Sequence, residues 1–469
     1  MAFDLILSNG DIVTPGGILA EASVAISNGK IAAIGKGLGS AKREIDLAGK
    51  TLFPGMFDPH CHLGSGDERT YEYMAESFAR DTREFLGGAV TSMATTTVLT
   101  RDSLVDNIQK TKAAGRESWI DFRITSVVLT DEHVEQMPAA IDAGVLSFKF
   151  YCGYCLDQAE KMGMNRDGVP PDMFYRACEQ VAKKDPRALL MVHAEEPHVR
   201  RLLAQRFRAA KREDLIAWAE HSPKWSEAVQ VALYGEIAHE HGVPLYVVHI
   251  SRGPTVDMIE YLRSRGNFIL GETLACFLST TAQERQEMGL GLKAKIQPPI
   301  RFAEDKDRLW RALKEGAVTS IGTDTIPYTS KYKSAQPFWD ARPGLNIQTI
   351  DTLPLLLTEG FHQGKIDLVT MAKALSENPA KYFGAGDRKG RIEPGYDADF
   401  VVIDLDKKVR LGHSRMRGRS DYSIWEGKEA RGLPVMTILR GEVVCENGEI
   451  VAERPSGAYL APEKKGSLR

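Results

Sequence analysis

The sequence predicts an α/β fold, a (β/α)8 TIM-like barrel with a small β-sandwich domain formed from both chain ends. Three observations predict it. Apolar runs alternate with amphipathic segments through the long middle of the chain, as parallel strands with crossover helices require. The alternation repeats eight times, with runs at 52–58, 89–97, 122–129, 145–152, 188–194, 244–251, 268–275 and 317–323. Both chain ends have a different texture, short apolar runs separated by turn dipeptides. The expected division is 1–52 for the first part of the sandwich, 53–387 for the barrel, and 388–469 for the second part with a C-terminal tail.

From the N-terminus, 5–6 and 31–34 read as strand segments. Asn9-Gly10 and Asn28-Gly29 read as type I′ hairpin turns, because such turns need positive φ at both central positions. Helical patterns follow between the barrel runs, at 71–85, 103–114, 173–183, 226–239, 255–264 and 305–314. Strands buried on both faces read as unbroken apolar runs, and 189–192 and 245–248 do so. Strand texture returns at 399–404, 437–439 and 442–445, the last running into Asn447-Gly448. The tail from Glu453 onward, rich in Pro, Gly and Lys, is expected to reach a neighbouring subunit or to stay unfolded.

The 469 residues are 43% hydrophobic and 26% charged, ordinary for a globular chain. Lysine and arginine number 60 against 63 acids, a formal charge of −3, so there is no basic excess of the kind that binds nucleic acid. No apolar run approaches the roughly eighteen residues of a membrane helix. The opening MAFDLILSNGD does not read as a signal peptide. Six cysteines in a chain this long make no disulfide scaffold; they read as free thiols in a reducing cytoplasm.

On such a barrel, chemistry belongs at the C-terminal ends of the strands. Those ends carry His60 and His62 on the first strand, Lys149 on the fourth, His193 on the fifth, His249 on the sixth and Asp324 on the eighth. His60 and His62, at i and i+2, share one face of a strand, a spacing open to metal ligation and to structural histidines alike. His239-Glu240-His241 repeats that spacing but closes an amphipathic helix, where i and i+2 diverge, and reads as surface. His193 and His249 end apolar strands either as ligands or as hydrogen-bonded core imidazoles. Asp324, within GTD at 322–324, is a ligand or the cap of a turn.

Lys149 is the anomaly. It sits within the apolar run VLSFKFY at 145–151, where an unpaired ammonium would cost several kcal/mol. It either snorkels to the strand end or pairs with an acid, or its chemistry uses the burial. Burial lowers a lysine pKa, and the neutral amine that results can add carbon dioxide. The carbamate is an anion with two oxygens, able to bridge two cations. Four imidazoles, an aspartate and that carbamate would complete two metal sites while leaving positions for water.

These residues stand in stretches that resemble the cyclic amidohydrolases, most closely the hydantoinase/dihydropyrimidinase family. The matching segments are FPGMFDPHCHL at 53–63, SFKF at 147–150, VHAE at 192–195 and YVVHIS at 246–251. GET at 271–273, PPIR at 298–301 and GTD at 322–324 follow in family order. SENPAKYFG at 376–384 and KGRIEPGYDADFVVI at 389–403 complete a likeness running from about residue 4 to about 450. The resemblance implies a binuclear centre, usually zinc. His60, His62 and Asp324 would hold one ion and His193 and His249 the other, with carboxylated Lys149 bridging and a hydroxide between the ions. It implies that Tyr154 holds the developing oxyanion, and that the segments of Gln297 and Gly344 contact the substrate largely through backbone atoms. It also implies a homotetramer.

The sequence departs from the family pattern where histidine commonly follows the metal aspartate; here it is Thr325. Gln297 replaces the serine usual before the two prolines, and the later substrate segment reads RPGLNIQ at 342–348. Gly64 stands where dihydroorotases carry a substrate-binding arginine. Cys152 and Cys155 flank Tyr154 without a second cysteine pair nearby and read as pocket-lining or packing thiols. Cys61 is expected to face the barrel wall. The reading that follows is a metal-dependent hydrolase opening a cyclic amide such as a dihydropyrimidine or hydantoin, with Asp324 carrying the proton. The alternatives are an allantoinase, a cyclic imidase or an acyclic amide hydrolase. A non-catalytic dihydropyrimidinase-related scaffold would have lost metal ligands, and all six are present. The expected partner is a small molecule, with neither nucleic acid nor membrane.

Overall fold

A computed structural model describes residues 2–65, 70–97, 103–334, 337–344 and 349–462. Its strands in chain order are β1 (Phe3–Thr14), β2 (Gly17–Ser27), β3 (Lys30–Gly35), β4 (Ala41–Asp46) and β5 (Thr51–Pro54), then β6 (Met56–Cys61), β7 (Val90–Thr97), β8 (Asp121–Val127) and β9 (Ser147–Phe150). They continue with β10 (Leu189–Val192), β11 (Leu245–Val247), β12 (Ile269–Leu274), β13 (Ser320–Gly322), β14 (Phe400–Arg410), β15 (Glu429–Leu439), β16 (Glu442–Glu446) and β17 (Glu449–Ile450). Strands β6 to β13 form one parallel sheet of eight in sequence order. Its two edges meet where the Asp324 amide donates to His60 O at 2.8 Å and the His62 amide to Thr325 O at 2.8 Å. The seam that closes the barrel is therefore built from the residues around the candidate ligands.

The remaining nine strands form a separate mixed sheet, ordered β17-β16-β15-β14-β5-β1-β2-β3 with β4 on β1. It encloses its own apolar core, to which Leu5, Ile12, Val24, Leu52, Phe400 and Ile438 contribute. Both chain ends meet in it because β5 pairs with β1 on one side and β14 on the other.

Two expectations about strands and turns need correction. The apolar run at 52–58 is not one barrel strand; it is cut at Gly55, with β5 in the chain-end sheet and β6 in the barrel. A side chain at 55 would meet Thr91 Oγ1 at 2.4 Å, so the crossing point needs glycine. Asn9-Gly10 is not a hairpin turn either. Asn9 has φ 56° but lies inside β1, where the pairing with β2 shifts register between Leu7 and Gly10, as in a β-bulge. Asn28-Gly29 (φ 51° and 71°) and Asn447-Gly448 (φ 49° and 83°) do turn between strands.

The six helical patterns correspond to helices at Tyr71–Gly87, Leu104–Ala114, Pro171–Lys184, Ser226–Glu240, Gly253–Ser264 and Ala303–Glu315. Helices at Asp131–Asp142 and Pro197–Ala209 were not legible. The first carries Pro138 inside it, which obscures its buried stripe of Val134, Met137 and Ala140, and the second buries only Pro197 and Arg200 and shows no apolar stripe. Inside the barrel, Phe57, Leu189, Met191, Tyr246 and Leu270 pack together and are stoppered from below by Tyr382, Phe383 and Leu460. None of the described helices is long and apolar enough to cross a membrane.

Leu460 belongs to the tail, and the described part of that tail neither leaves the molecule nor stays unfolded. The Gly457 amide donates to Ser118 O at 2.9 Å and the Leu460 amide to Phe122 O at 2.8 Å, extending along the lower end of β8. The same floor is tied to the chain-end sheet by a buried ammonium. Lys389 Nζ lies 2.6 Å from Asp121, 3.0 Å from Asp397 and 2.6 Å from Asp399. Those three carboxylates converge like metal ligands, but a lysine fills their centre. Burial alone would raise Asp397, yet Lys389 beside it holds it at about 2.

Lys389→Met leaves three buried carboxylates with one cation fewer, and is expected to cost about 3–5 kcal/mol of stability at pH 7. Asp397 is depressed on folding, so its contribution is complete above its unfolded pKa, near 3.8, and is lost as pH falls towards 2. The variant's deficit should therefore shrink on acidification. Denaturant unfolding at pH 7 and near pH 2.5 checks both statements, and a deficit equal at the two values contradicts the clamp.

Candidate metal centre

Each barrel strand turns alternate side chains inward, and in four strands that alternation alone delivers the functional group. Leu189 and Met191 lead to His193, Ser147 to Lys149, Leu270 to Glu272, and Ser320 and Gly322 to Asp324. The other two strands must break phase. Phe57 faces the interior, so His60 and His62 would point outward but for the register shift between Asp58 and Cys61. Val248 likewise faces inward, and His249 is brought beside it by a left-handed backbone, φ 40°. Asp324 is also left-handed, φ 49°. Such conformations cost on the order of 1–3 kcal/mol each and persist where the surroundings over-determine them.

The six predicted residues come together in one dry space. His60 and Lys149 have no exposed surface, and the other four are buried. His62 Nε2 lies 3.1 Å from His60 Nε2 and 2.9 Å from Asp324 Oδ1, while Asp324 Oδ1 is 3.6 Å from His60 Nε2. Lys149 Nζ is 3.4 Å from His60 Nε2. The His249 ring lies 5.6 Å from that of His60 and 4.5 Å from that of His193.

Burial holds His60 and His249 well below the usual imidazole range, and His193 below it. They are free bases at neutral pH, the state in which an imidazole can bind a metal. Burial likewise pushes Lys149 down to about 8, against the pull of Asp324 and Glu272. Asp324 would be raised by burial, but His60 and His62 keep it below the ordinary carboxylate value. Neutral imidazoles, an ionised carboxylate and donor atoms of His60, His62 and Asp324 all within 4.8 Å of one another fit a divalent cation.

Carboxylates behind the rings fix their orientation, an arrangement metal-binding histidines use widely. Glu272 Oε1 is 3.1 Å from His60 Nδ1, and its other oxygen accepts from the Tyr246 hydroxyl at 2.9 Å. Burial pushes Glu272 up to about 8. Glu195 Oε2 is 3.0 Å from His193 Nε2. Burial would raise Glu195 too, but Arg200, His193 and Arg301 hold it well below the usual range. Asp58 accepts from the amides of His60 and Thr323, both at 3.2 Å, and so joins the first and last strands. Glu272 and Glu195 stand in the GET and VHAE segments already singled out, but nothing in the sequence assigned them a task.

Tyr154 is partly exposed, with its ring 5.1 Å from that of His193, so it stands at the rim of the cluster. The Gln297 amide nitrogen donates to Glu195, and its Oε1 is buried without a partner among the described residues. Gly344 lies against Tyr328, where a Cβ would come within 2.3 Å of the ring. The rest of its predicted segment, 345–348, lies outside the described residues. Cys152 and Cys155 line a cavity of about 320 Å³ beside Tyr154, as pocket-lining thiols should. Cys61 points to Met93 and Ala94 on the next strand. His239 is exposed, as its place at the end of a helix required.

Comparison with known proteins places these features in context. Residues 51–444 match the Amidohydrolase family. An L-hydantoinase of Paenarthrobacter aurescens is 30% identical over 470 residues, covering 98% of each chain. An allantoinase of Desulfitobacterium hafniense is also 30% identical, covering 98% of this chain and 99% of its own. Among solved structures, the L-hydantoinase (dihydropyrimidinase) from Arthrobacter aurescens superposes with a TM-score of 0.88 at 27% identity, covering 98% of this chain and 100% of that one.

Proposed function

The chain belongs to the amidohydrolase family, and from that premise we propose a metal-dependent hydrolase that opens the ring of a cyclic amide, a dihydropyrimidine, hydantoin or related ring. The observation that carries the reading is the dry cluster of His60, His62, Lys149, His193, His249 and Asp324 at the barrel mouth. Allantoin is a second candidate, because an allantoinase is as similar over the same length as an L-hydantoinase.

His60, His62 and Asp324 would hold one ion, His193 and His249 the other, and Lys149 would bridge them; zinc suits this mix of imidazole and carboxylate. Two such ions would supply a nucleophilic water at neutral pH, its pKa lowered to about 7, and an electrophilic pull on the amide carbonyl. Lys149, which burial brings down to about 8, would react through its neutral fraction with carbon dioxide: a nitrogen–carbon bond would form, one proton leave, and the amine become an anionic carbamate. Asp324 takes the proton from the attacking water and returns it to the departing ring nitrogen, so that the amine leaves neutral. Tyr154, at the rim, donates its hydroxyl to the oxygen that gains charge as the carbonyl becomes tetrahedral.

We propose further that the chain assembles with itself, as a tetramer. Trp225, the N-cap of the helix Ser226–Glu240, and Val229 and Leu233 within it recur every four residues and are 45%, 47% and 40% exposed, an apolar stripe that a second copy can cover. A cytoplasmic location suits six cysteines that are all buried and free.

Zinc- and bicarbonate-supplemented protein is expected to open at least one of dihydrouracil, hydantoin, allantoin and succinimide, followed by ultraviolet loss. Asp324→Asn should lose about 10²–10⁴ in turnover. Silence of the wild-type protein across the panel with two metals bound excludes these rings, and silence with no metal revives a non-catalytic scaffold. Lys149→Ala should bind less metal, restored in part by a small carboxylate acid; full metal content without one counts against the carbamate. Light scattering should give a mass above that of one chain, lowered by Val229→Glu with Leu233→Glu, and a monomeric wild type excludes assembly.

A further inference from the structure

We infer that Arg200 is a positioning residue for the reaction, holding the loop of Tyr154 against the histidine that would bind the second metal; this rests on the functional reading above. Arg200 stands in the first turns of the helix Pro197–Ala209, on a rigid element and 4% exposed. One nitrogen, Nη1, donates in two directions, to Glu195 Oε2 at 2.9 Å and to the backbone oxygen of Gly153 at 3.0 Å. The guanidinium also lies over the Tyr154 ring, 5.5 Å from its centroid. Glu195 in turn lies against His193 at 3.0 Å.

Charge balance explains only the pairing with Glu195: Arg200 is the first cation holding that carboxylate ionised, since Arg301 is shared with Glu227. Glu195 also accepts from Ser222 at 2.5 Å and from the Gln297 amide. The fit is not tuned for stability alone, because Arg200 Nε is buried with no hydrogen-bond partner among the described residues, and an unsatisfied buried donor is destabilising. What pairing with Glu195 leaves unexplained is the second bond of Nη1, the link to Gly153, the residue before Tyr154. Position 153 is packed so closely that a Cβ would lie 2.6 Å from His193 Cδ2 and 3.2 Å from Arg200 Nη1. The loop therefore rests directly on the metal-binding imidazole, and Arg200 is the bolt across both. A hydroxyl that must meet an oxyanion needs such fixing, since a displacement of about 1 Å can cost about 10²-fold in rate.

The test is a double-mutant cycle between Arg200→Met and Tyr154→Phe on the metal-loaded protein, with hydrogen exchange of the segment 151–160 read by mass spectrometry. Arg200→Met should lower kcat about 10- to 100-fold with KM changed less than about 3-fold. On the Tyr154→Phe background the same substitution should cost less than about 3-fold, because the hydroxyl it positions has gone. Exchange at 151–160 should quicken while the strand at 189–192 is unchanged. The cycle is repeated with Arg200→Lys, which keeps the charge and is the milder change for folding. Equal losses on both backgrounds, or unaltered exchange at 151–160, overturn the inference while leaving the functional reading intact. A wild-type protein that opens no ring overturns that reading and this one with it, before any substitution is made.

Discussion

Lys149 has no surface in water, and an ammonium fixed there without compensation would cost several kcal/mol. The neighbouring groups answer that constraint in two ways. Asp324 and Glu272 pull the lysine towards its charged form, while burial drives it down to about 8, so the amine is poised between states. The surrounding imidazoles are driven to their neutral forms by the same desolvation, which leaves a set of lone pairs facing one space. A cluster of this kind is costly as an empty pocket and becomes favourable once cations supply the missing charge. The same dryness that makes it costly strengthens every electrostatic contact a reacting carbonyl would meet.

The two halves of the cluster are supported differently. Behind His60, Glu272 is itself driven up to about 8 and hydrogen-bonded to Tyr246, whose hydroxyl also meets that of Ser320. Behind His193, Glu195 is held firmly ionised among Arg200 and Arg301. A carboxylate that shares a proton adapts to the charge of what lies before it, whereas one locked among arginines imposes a fixed charge. His60 therefore sits in the compliant half, beside Lys149 and Asp324. His193 sits in the rigid half, beside Tyr154.

The barrel was legible because its strands are buried on both faces and read as unbroken apolar runs, and the six candidate ligands because each interrupts or ends such a run. The outer carboxylates were not, since an acid after a strand looks the same whether it orients a ring or caps a turn. Phase was also hidden. Simple alternation carries Met191 to His193, but Phe57 and His60 are out of step, and only the register shift at Asp58–Cys61 turns the histidines inward. The run at 52–58 was misread for a related reason: apolar periodicity does not record which of two sheets a strand joins, and the crossing rests on the crowding at Gly55. Asn9-Gly10 shows the same limit, since positive φ serves a bulge as well as a turn.

The departures from the family pattern sort by where their side chains go. Thr325 replaces a histidine directly after Asp324, which suggested an altered pocket, yet it is fully buried and its hydroxyl lies 3.4 Å from that of Thr349. Its backbone oxygen takes the His62 amide, so the residue belongs to the seam that closes the barrel. Gln297 is a different matter. Its nitrogen is committed to a carboxylate that can only accept, which fixes the amide's orientation and leaves Oε1 a buried acceptor without a donor among the described residues. A serine at that position could not span to Glu195 in the same way. The substitution thus joins residue 297 to the rigid, arginine-locked half of the site.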